Sequence, residues 1–296
     1  MISILIPLYN YKIASLVYSL HHQIKNNALD AEIIIVDDAS TVVYEENIQL
    51  QNLSLVSYLK LSKNKGRSYA RNYLASKANY KYLLFIDCDA EVIHDDFLMI
   101  YKDHIEENTE VICGGVEYQR NRPIDQELYL RWLYGTKRES RSVYKRNEKP
   151  YNSFSSFNFL IRKDLFQENN FNENIREYGH EDTLFGINLY QQRIRIEHIH
   201  NPLVHAGLET NIVFLEKTER SLKNLKYIYE TFDNKELLEG SIKLLKYVRI
   251  IKNIHLKWLL NLFFNLFKNR LKNNLKSRKP SLFYFDVYKI CYYLIV

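Results

Sequence analysis

The sequence predicts an α/β fold, a mostly parallel sheet followed by a helical C-terminal extension, on three observations. Four short apolar runs recur at similar spacing near the start: Ile2 to Leu8, Glu32 to Val36, Leu55 to Leu61 and Tyr80 to Ile86. Segments of helical character lie between them, and strand alternating with helix implies parallel strands joined by right-handed crossovers. From Asn211 onward the patterns are helical.

Taken in order, the first run leads into a helix over Ile13 to Ile24. The second is followed by a shorter helical stretch around Tyr44 to Leu50, and the third by a helix over Ser68 to Ala78. After the fourth run a helix is expected over Asp95 to Glu107 and a strand over Val111 to Tyr118. Gln119 to Ser156 is polar, basic and aromatic with little periodicity, and reads as a long excursion or lid. Regular structure resumes with a strand at Phe157 to Arg162, a helix beginning near Glu181 and a strand at Arg195 to His200. No internal repeat is present.

A chain of 296 residues at 46% hydrophobic and 26% charged is long enough for one large domain or two modest ones. Eight Gly and five Pro exclude low-complexity and collagen-like chains, while 24 Tyr and 15 Phe supply a sizeable core. Cys88, Cys113 and Cys291 are far apart without C-x-x-C spacing, so neither a disulfide framework nor a thiolate zinc site is expected, and a reducing cytoplasm fits. The N-terminal run lacks a basic n-region and is cut by Pro7, unlike a signal peptide. No stretch reaches the roughly 18 apolar residues of a spanning helix.

Charge is unevenly spread. Residues 240–279 hold eleven Lys and Arg and no acid, whereas residues 1–239 carry 29 basic against 34 acidic residues. The mildly acidic body and strongly basic tail are expected to meet different partners.

Ligands of open α/β sheets bind beyond the carboxyl ends of the strands, and here those ends are acidic. Strand one ends in Pro7-Leu8-Tyr9-Asn10, strand two in Asp37-Asp38-Ala39-Ser40 and strand four in Asp87-Cys88-Asp89. Any one is explained by a turn or a cap; three on one edge suggest a pocket. Asp87 and Asp89, with the intervening side chain turned away, can aim at one hard cation, Mg²⁺ or Mn²⁺, carrying a diphosphate. No P-loop is present. Lys65, Arg67 and Arg71, in NKGRSYARN, either face phosphates or form a solvated helix face.

With these residues in view, the sequence resembles the inverting family-2 glycosyltransferases of the GT-A fold. SILIPLYN, VDDAS, NKGRSYARN, FIDCDAE as a DxD element and YGHEDTLFG as an acidic catalytic element occur in that family's order, over about residues 2 to 210. NFLIRKDLF followed by FNENIREYGHED resembles its acceptor-side segment, and HNPLVHAGLE its later histidine segment. The resemblance implies a Rossmann-like, GT-A type nucleotide-sugar-binding sheet. It divides the chain into a nucleotide-sugar half (1–118), an acceptor and catalytic half (119–210) and a helical, basic amphipathic region (211–296). It further implies that Pro7, Tyr9 and Asp38 contact the base, Asp37 and Asp87 the base or ribose, Arg71 the base or diphosphate, and Asp89 with His205 a divalent metal. Two departures stand out: Cys88 fills the middle of the DxD, and Asn169 to Glu173 replaces the Gly-Gly-Phe-Asp-Glu of many relatives.

Displacement at an anomeric carbon needs a base on the acceptor hydroxyl and charge stabilisation on the leaving diphosphate. Asp182 is the chosen base and Glu181 positions the acceptor or the loop; capping alone also favours acids at a helix start. His198 and His200 share a strand face and read as packing or surface, His205 as a ligand. In the tail, Ile250 to Leu275 carries a wide apolar face with a basic polar stripe, which suits either a membrane interface or packing on the catalytic domain or a dimer partner.

The expected activity is a metal-dependent, UDP-sugar-using transferase that extends a lipid-linked glycan, peripheral on the cytoplasmic face of an anionic membrane and without nucleic acid. Transfer to a polyprenyl phosphate, or a catalytically silent membrane-tethered interaction protein, are the rivals.

Overall fold

The computed structural model describes residues 1–175 and 178–296; Arg176 and Glu177, within FNENIREYGHED, lie outside the described residues. Among the described residues ten strands are formed: β1 (Ile2–Leu8), β2 (Ala31–Asp37), β3 (Val56–Lys60), β4 (Tyr82–Ile86), β5 (Ala90–Glu91), β6 (Val111–Cys113), β7 (Val116–Glu117), β8 (Asn158–Arg162), β9 (Ile196–His198) and β10 (Leu203–His205). Seven make one sheet in the order β3-β2-β1-β4-β8-β6-β9, and three make a second in the order β5-β10-β7. In the large sheet only the two pairings of β8, with β4 and β6, are antiparallel.

The first strands read as continuous apolar runs because both faces are covered. Ile4, Ile6 and Leu8 of β1 pack with Leu16, Val17 and Leu20 of the helix Ala14–Asn26. Leu5 belongs to the opposite layer, with Ala70 and Leu74 of the helix Arg67–Lys77. This alternation fixes the register, and so fixes which residues emerge at the carboxyl edge.

Three expectations are corrected. Val111 to Tyr118 is not one strand: Gly114 and Gly115 break it, Gly115 at φ 102°, so β6 joins the large sheet and β7 the small one. Gln119 to Ser156 is not a lid without structure, since it folds into the short helices Tyr129–Tyr134 and Val143–Asn147 with a π-helical turn between them. Within this stretch Arg146 is buried. It donates to the carbonyls of Cys113, Gly114 and Ile199 at 3.1, 3.1 and 2.7 Å, and to His198 Nδ1 at 3.1 Å. An arginine can only donate, so His198 carries its proton on Nε2, facing the Pro150 carbonyl at 3.0 Å. Burial holds its pKa down at about 4, and the packing reading of His198 stands.

Replacing Arg146 by leucine strands those carbonyls. It is expected to cost about 3 kcal/mol, read as a lower midpoint in urea unfolding.

The third correction concerns the tail, where the chain breaks at His255 (φ 57°) into the helices Lys243–Asn253 and Lys257–Leu275. Two compact units result. One comprises Met1–Gln119, Ser140–Arg176 and Glu181–Gly207; the other Arg120–Glu139, Glu177–His180 and Leu208–Val296. In the second, Phe264, Leu271 and Leu275 are buried, with the Phe264 ring 5.4 Å from that of Tyr288 on the helix Leu282–Ile295. Lys272 and the Tyr288 hydroxyl both reach Glu219, at 2.8 and 2.5 Å. The other side of Lys257–Leu275 is bare: Trp258, Leu262 and Leu266 are 67, 51 and 70% exposed. Among the described residues, no helix is long and apolar enough to cross a membrane.

Candidate active site

The carboxyl edge of the large sheet is built from loops stapled to one another. After β1, Asn10 adopts φ 50°, and its side-chain oxygen accepts the backbone N–H groups of Thr41 and Val42 at 2.8 and 3.0 Å, tying this loop to the one after β2. Asp37, at the end of β2, accepts the Ser40 N–H at 2.7 Å and the Tyr58 hydroxyl at 2.9 Å. Asp38 accepts the N–H groups of Lys65 and Gly66 at 2.7 and 2.8 Å, just before the helix Arg67–Lys77. Burial raises the Asp38 pKa; those N–H groups oppose the rise, and the Asp37 charge adds to it. Asp37 and Asp38 are both buried, whereas Tyr9 is 47% exposed and Pro7 partly so.

The two aspartates of the DxD take different partners. Asp87 receives Arg71 Nη2 at 2.6 Å. Asp89 lies 3.5 Å from His205 Nε2, on β10, which pairs antiparallel with β5 immediately after Asp89. Cys88 turns the other way, as the alternation requires, and packs on the core under β1; burial, then Asp89 and Asp87, push its thiol up to about 12. The His205 ring is held between Tyr118 and Phe157, stacked at centroid distances of 5.3 and 5.5 Å.

A carboxylate and an imidazole at that separation can both reach one ion that binds its ligands at about 2.1 Å, with phosphate and water completing the shell. The donor chemistry fits Mn²⁺ or Mg²⁺ shared with a diphosphate. No cluster of three or more protein ligands occurs among the described residues, so such an ion would depend on the nucleotide for most of its coordination.

The helix Arg67–Lys77 joins this edge to the acidic pair. Arg67 and Arg71, one turn apart, share a face: Arg67 Nη1 donates to Glu181 Oε1 at 3.0 Å, and Arg71 reaches Asp87. Arg71 is 2% exposed, with Phe171 against its guanidinium at 5.3 Å. Burial would discharge it; the carboxylates of Asp87, Asp182 and Glu181 hold the proton on. Glu181 is likewise buried, which alone raises its pKa, but Arg67 and Arg71 outweigh that and keep it below the usual carboxylate range.

Asp182 is pushed the other way, to about 6, by burial and then by the Glu181 charge. Its Oδ2 accepts the Ser156 N–H at 3.1 Å. Its sealed Oδ1, together with Arg71 Nε and Nη1, has no hydrogen-bond partner among the described residues. One carboxylate of the pair is thus fixed as an anion while the other titrates near neutrality, the condition under which a carboxylate can take a proton.

The structure brings Asp87, Arg71, Glu181 and Asp182 into one cluster and Asp89 with His205 into another. Sequence reasoning missed Tyr58, Ser156 and the Tyr118/Phe157 stack. None of these carries a signal of its own, because each acts through a neighbour set by the register.

The sequence matches the model of glycosyl transferase family 2 over residues 3–169. That is more than half of the chain, which belongs to this family. No curated protein matches it. Among solved structures, S. aureus TarS is 20% identical at a TM-score of 0.53, covering 79% of this chain and 44% of that one, so this chain spans less than half the length of TarS. S. aureus TarS 1-349 in complex with UDP-GlcNAc is 18% identical at 0.51, covering 99% of this chain and 89% of that one. The mannosyltransferase PcManGT from Pyrobaculum calidifontis, in complex with GDP-Man and Mn²⁺, is 13% identical at 0.52, covering 99% and 84%. At these identities the likeness is one of fold, and it is the GT-A type sheet expected from the sequence.

Proposed function

We propose that this chain transfers one sugar, with inversion, from a nucleotide-sugar donor to a hydroxyl of a growing, lipid-linked glycan. The observation that carries the reading is the bridge made by one helix, Arg71 on Asp87 and Arg67 on Glu181, which sets the DxD beside the acidic pair. Family membership, and neighbours bound to UDP-GlcNAc and GDP-Man, support a nucleotide-sugar donor. Pro7, Tyr9 and Asp38 would line the base, Asp37 and Asp87 the base or ribose, and Arg71 the base or diphosphate.

In this reading the acceptor hydroxyl gives its proton to Asp182 as its oxygen bonds to the anomeric carbon and the bond to the diphosphate breaks. Glu181, held ionised, positions the acceptor and keeps the Asp182 carboxyl raised. Asp89 and His205 would hold a divalent ion, which when bound neutralises charge on the leaving diphosphate.

A thermal-shift panel of UDP- and GDP-sugars with Mn²⁺ tests the donor. At a hundred times its Kd a cognate donor stabilises by about 2.7 kcal/mol, a rise of roughly 5 °C or more. A flat panel overturns the reading.

The bare face of Lys257–Leu275, within the basic stretch, supports placement on the cytoplasmic face of an anionic membrane. Each Lys or Arg there contributes on the order of 1 kcal/mol, and the apolar side chains add burial that salt does not screen. The protein is expected to co-sediment with anionic vesicles and to be only partly released by high salt. Trp258→Glu with Leu266→Glu should abolish this without unfolding, since both side chains are exposed. Indifference to vesicles would remove the membrane from the account.

A further inference from the structure

Beyond β10 the chain runs against the second aspartate of the DxD. The Ala206 N–H donates to the Asp89 carbonyl at 2.9 Å, continuing the antiparallel pairing in which His205 stands opposite Ala90. The next residue, Gly207, lies against the Asp89 side chain itself. A Cβ on Gly207 would come 2.7 Å from Asp89 Cβ, 2.7 Å from its Oδ2 and 3.1 Å from its Cγ, whereas carbon atoms settle at about 3.5–4.0 Å.

The backbone does not explain a glycine at this position. Gly66, Gly115 and Gly179 take positive φ, the conformation that favours glycine, and Gly207 is not among them. An alanine would therefore suit the backbone and fail only for room. The three atoms nearest to its Cβ would all belong to the Asp89 side chain, and Oδ2 is also the oxygen 3.5 Å from His205 Nε2. Turning the carboxylate would clear Oδ2 but not Cβ, which the backbone fixes. The chain after His205 would then have to shift as well, and β5 and β10 are held by only two residue pairs. Either relief changes the separation of Asp89 from His205.

We infer that Gly207 is a positioning residue for the Asp89/His205 pair: by carrying no side chain it lets the chain close on Asp89 and keeps Oδ2 directed toward His205, set for a divalent cation. Gly207 itself offers no ligand. Groups that orient metal ligands in this way are commonly worth about 10- to 100-fold in metal affinity. The inference rests on Asp89 and His205 as the metal ligands, and its test separates the two.

The native protein, Gly207→Ala and Asp89→Ala are titrated by calorimetry with UDP and with GDP, each in Mn²⁺ and each in EDTA, and Tm is measured. In Mn²⁺, Gly207→Ala is expected to weaken binding of the nucleotide that the native protein takes by about 10- to 100-fold, as Asp89→Ala does. In EDTA its binding should stay within about twofold of native. An equal loss in Mn²⁺ and in EDTA would mean a blocked nucleotide or a loosened fold, and overturns the inference. So does native Mn²⁺-dependent binding in a folded Gly207→Ala protein. If the native protein binds equally in Mn²⁺ and EDTA, or binds neither nucleotide, the metal reading itself falls and takes the inference with it.

If Gly207→Ala does not fold, the same change in an Asp89→Gly background decides, because that background lacks the atoms the new methyl would strike. A double variant that folds with a Tm near that of Asp89→Gly identifies the Asp89 side chain as the obstacle and supports the inference. A double variant that does not fold overturns it.

Discussion

Asp182→Asn is expected to lower turnover by about 10²- to 10⁴-fold while leaving donor KM nearly unchanged. The substitution keeps the shape and the acceptor for the Ser156 N–H, and removes only the capacity to take a proton. In the native protein, turnover should climb as pH rises through about 6, where the Asp182 carboxyl ionises.

Stability should run the opposite way. A carboxyl raised by folding favours the protonated form, so its stabilising contribution is greatest at low pH and fades as pH climbs from its unfolded value, near 4, through about 6. Asp182→Asn is therefore expected to raise Tm at pH 8 and to leave it nearly unchanged at pH 4. Near-normal turnover of the variant would return Asp182 to a helix-capping role and favour an acceptor that is already anionic, such as a lipid phosphate.

Chelation should have an effect as large. With excess EDTA, transfer is expected to fall by at least about 10²-fold and to return on adding Mn²⁺ in excess. Asp89→Ala or His205→Ala should weaken Mn²⁺-dependent nucleotide binding, measured by calorimetry, by about 10- to 100-fold. Binding without metal should change little, because the carboxylate and imidazole would then contact no ligand directly. Full activity in chelator would mean that the Asp89/His205 pair, 3.5 Å apart and stacked between two rings, serves structure alone.

How much of this was legible beforehand depended on periodicity. The first four strands and the helices between them repeat the apolar pattern that builds two covered faces, so β1 to β4 and the residues at their carboxyl ends could be placed from sequence. Asp87 and Asp89 were legible for the same reason, as was the turn of Cys88 away from them. The Val111 to Tyr118 run was misread because its apolar pattern continues across Gly114 and Gly115, while the backbone at Gly115 sends the chain into another sheet.

The place of Arg146 is not legible in the sequence, because a basic residue in a polar segment carries no sign of burial; only the fold shows three carbonyls converging on it. Arg67 and Glu181 stand 114 positions apart, and no local pattern links them. The tail's periodicity was right in kind, but the break at His255 and the burial of Phe264 split its apolar surface into a packed side and a bare one.

The claim at the centre of the account is a single displacement at the anomeric carbon, assisted by Asp182. The most direct measurement is the anomeric configuration of the product by ¹H NMR, taken early in the reaction with the donor that stabilises the protein in the thermal-shift panel. A product of configuration opposite to the donor's is expected, with release of one nucleoside diphosphate per sugar transferred. A product that retains the donor's configuration would contradict it.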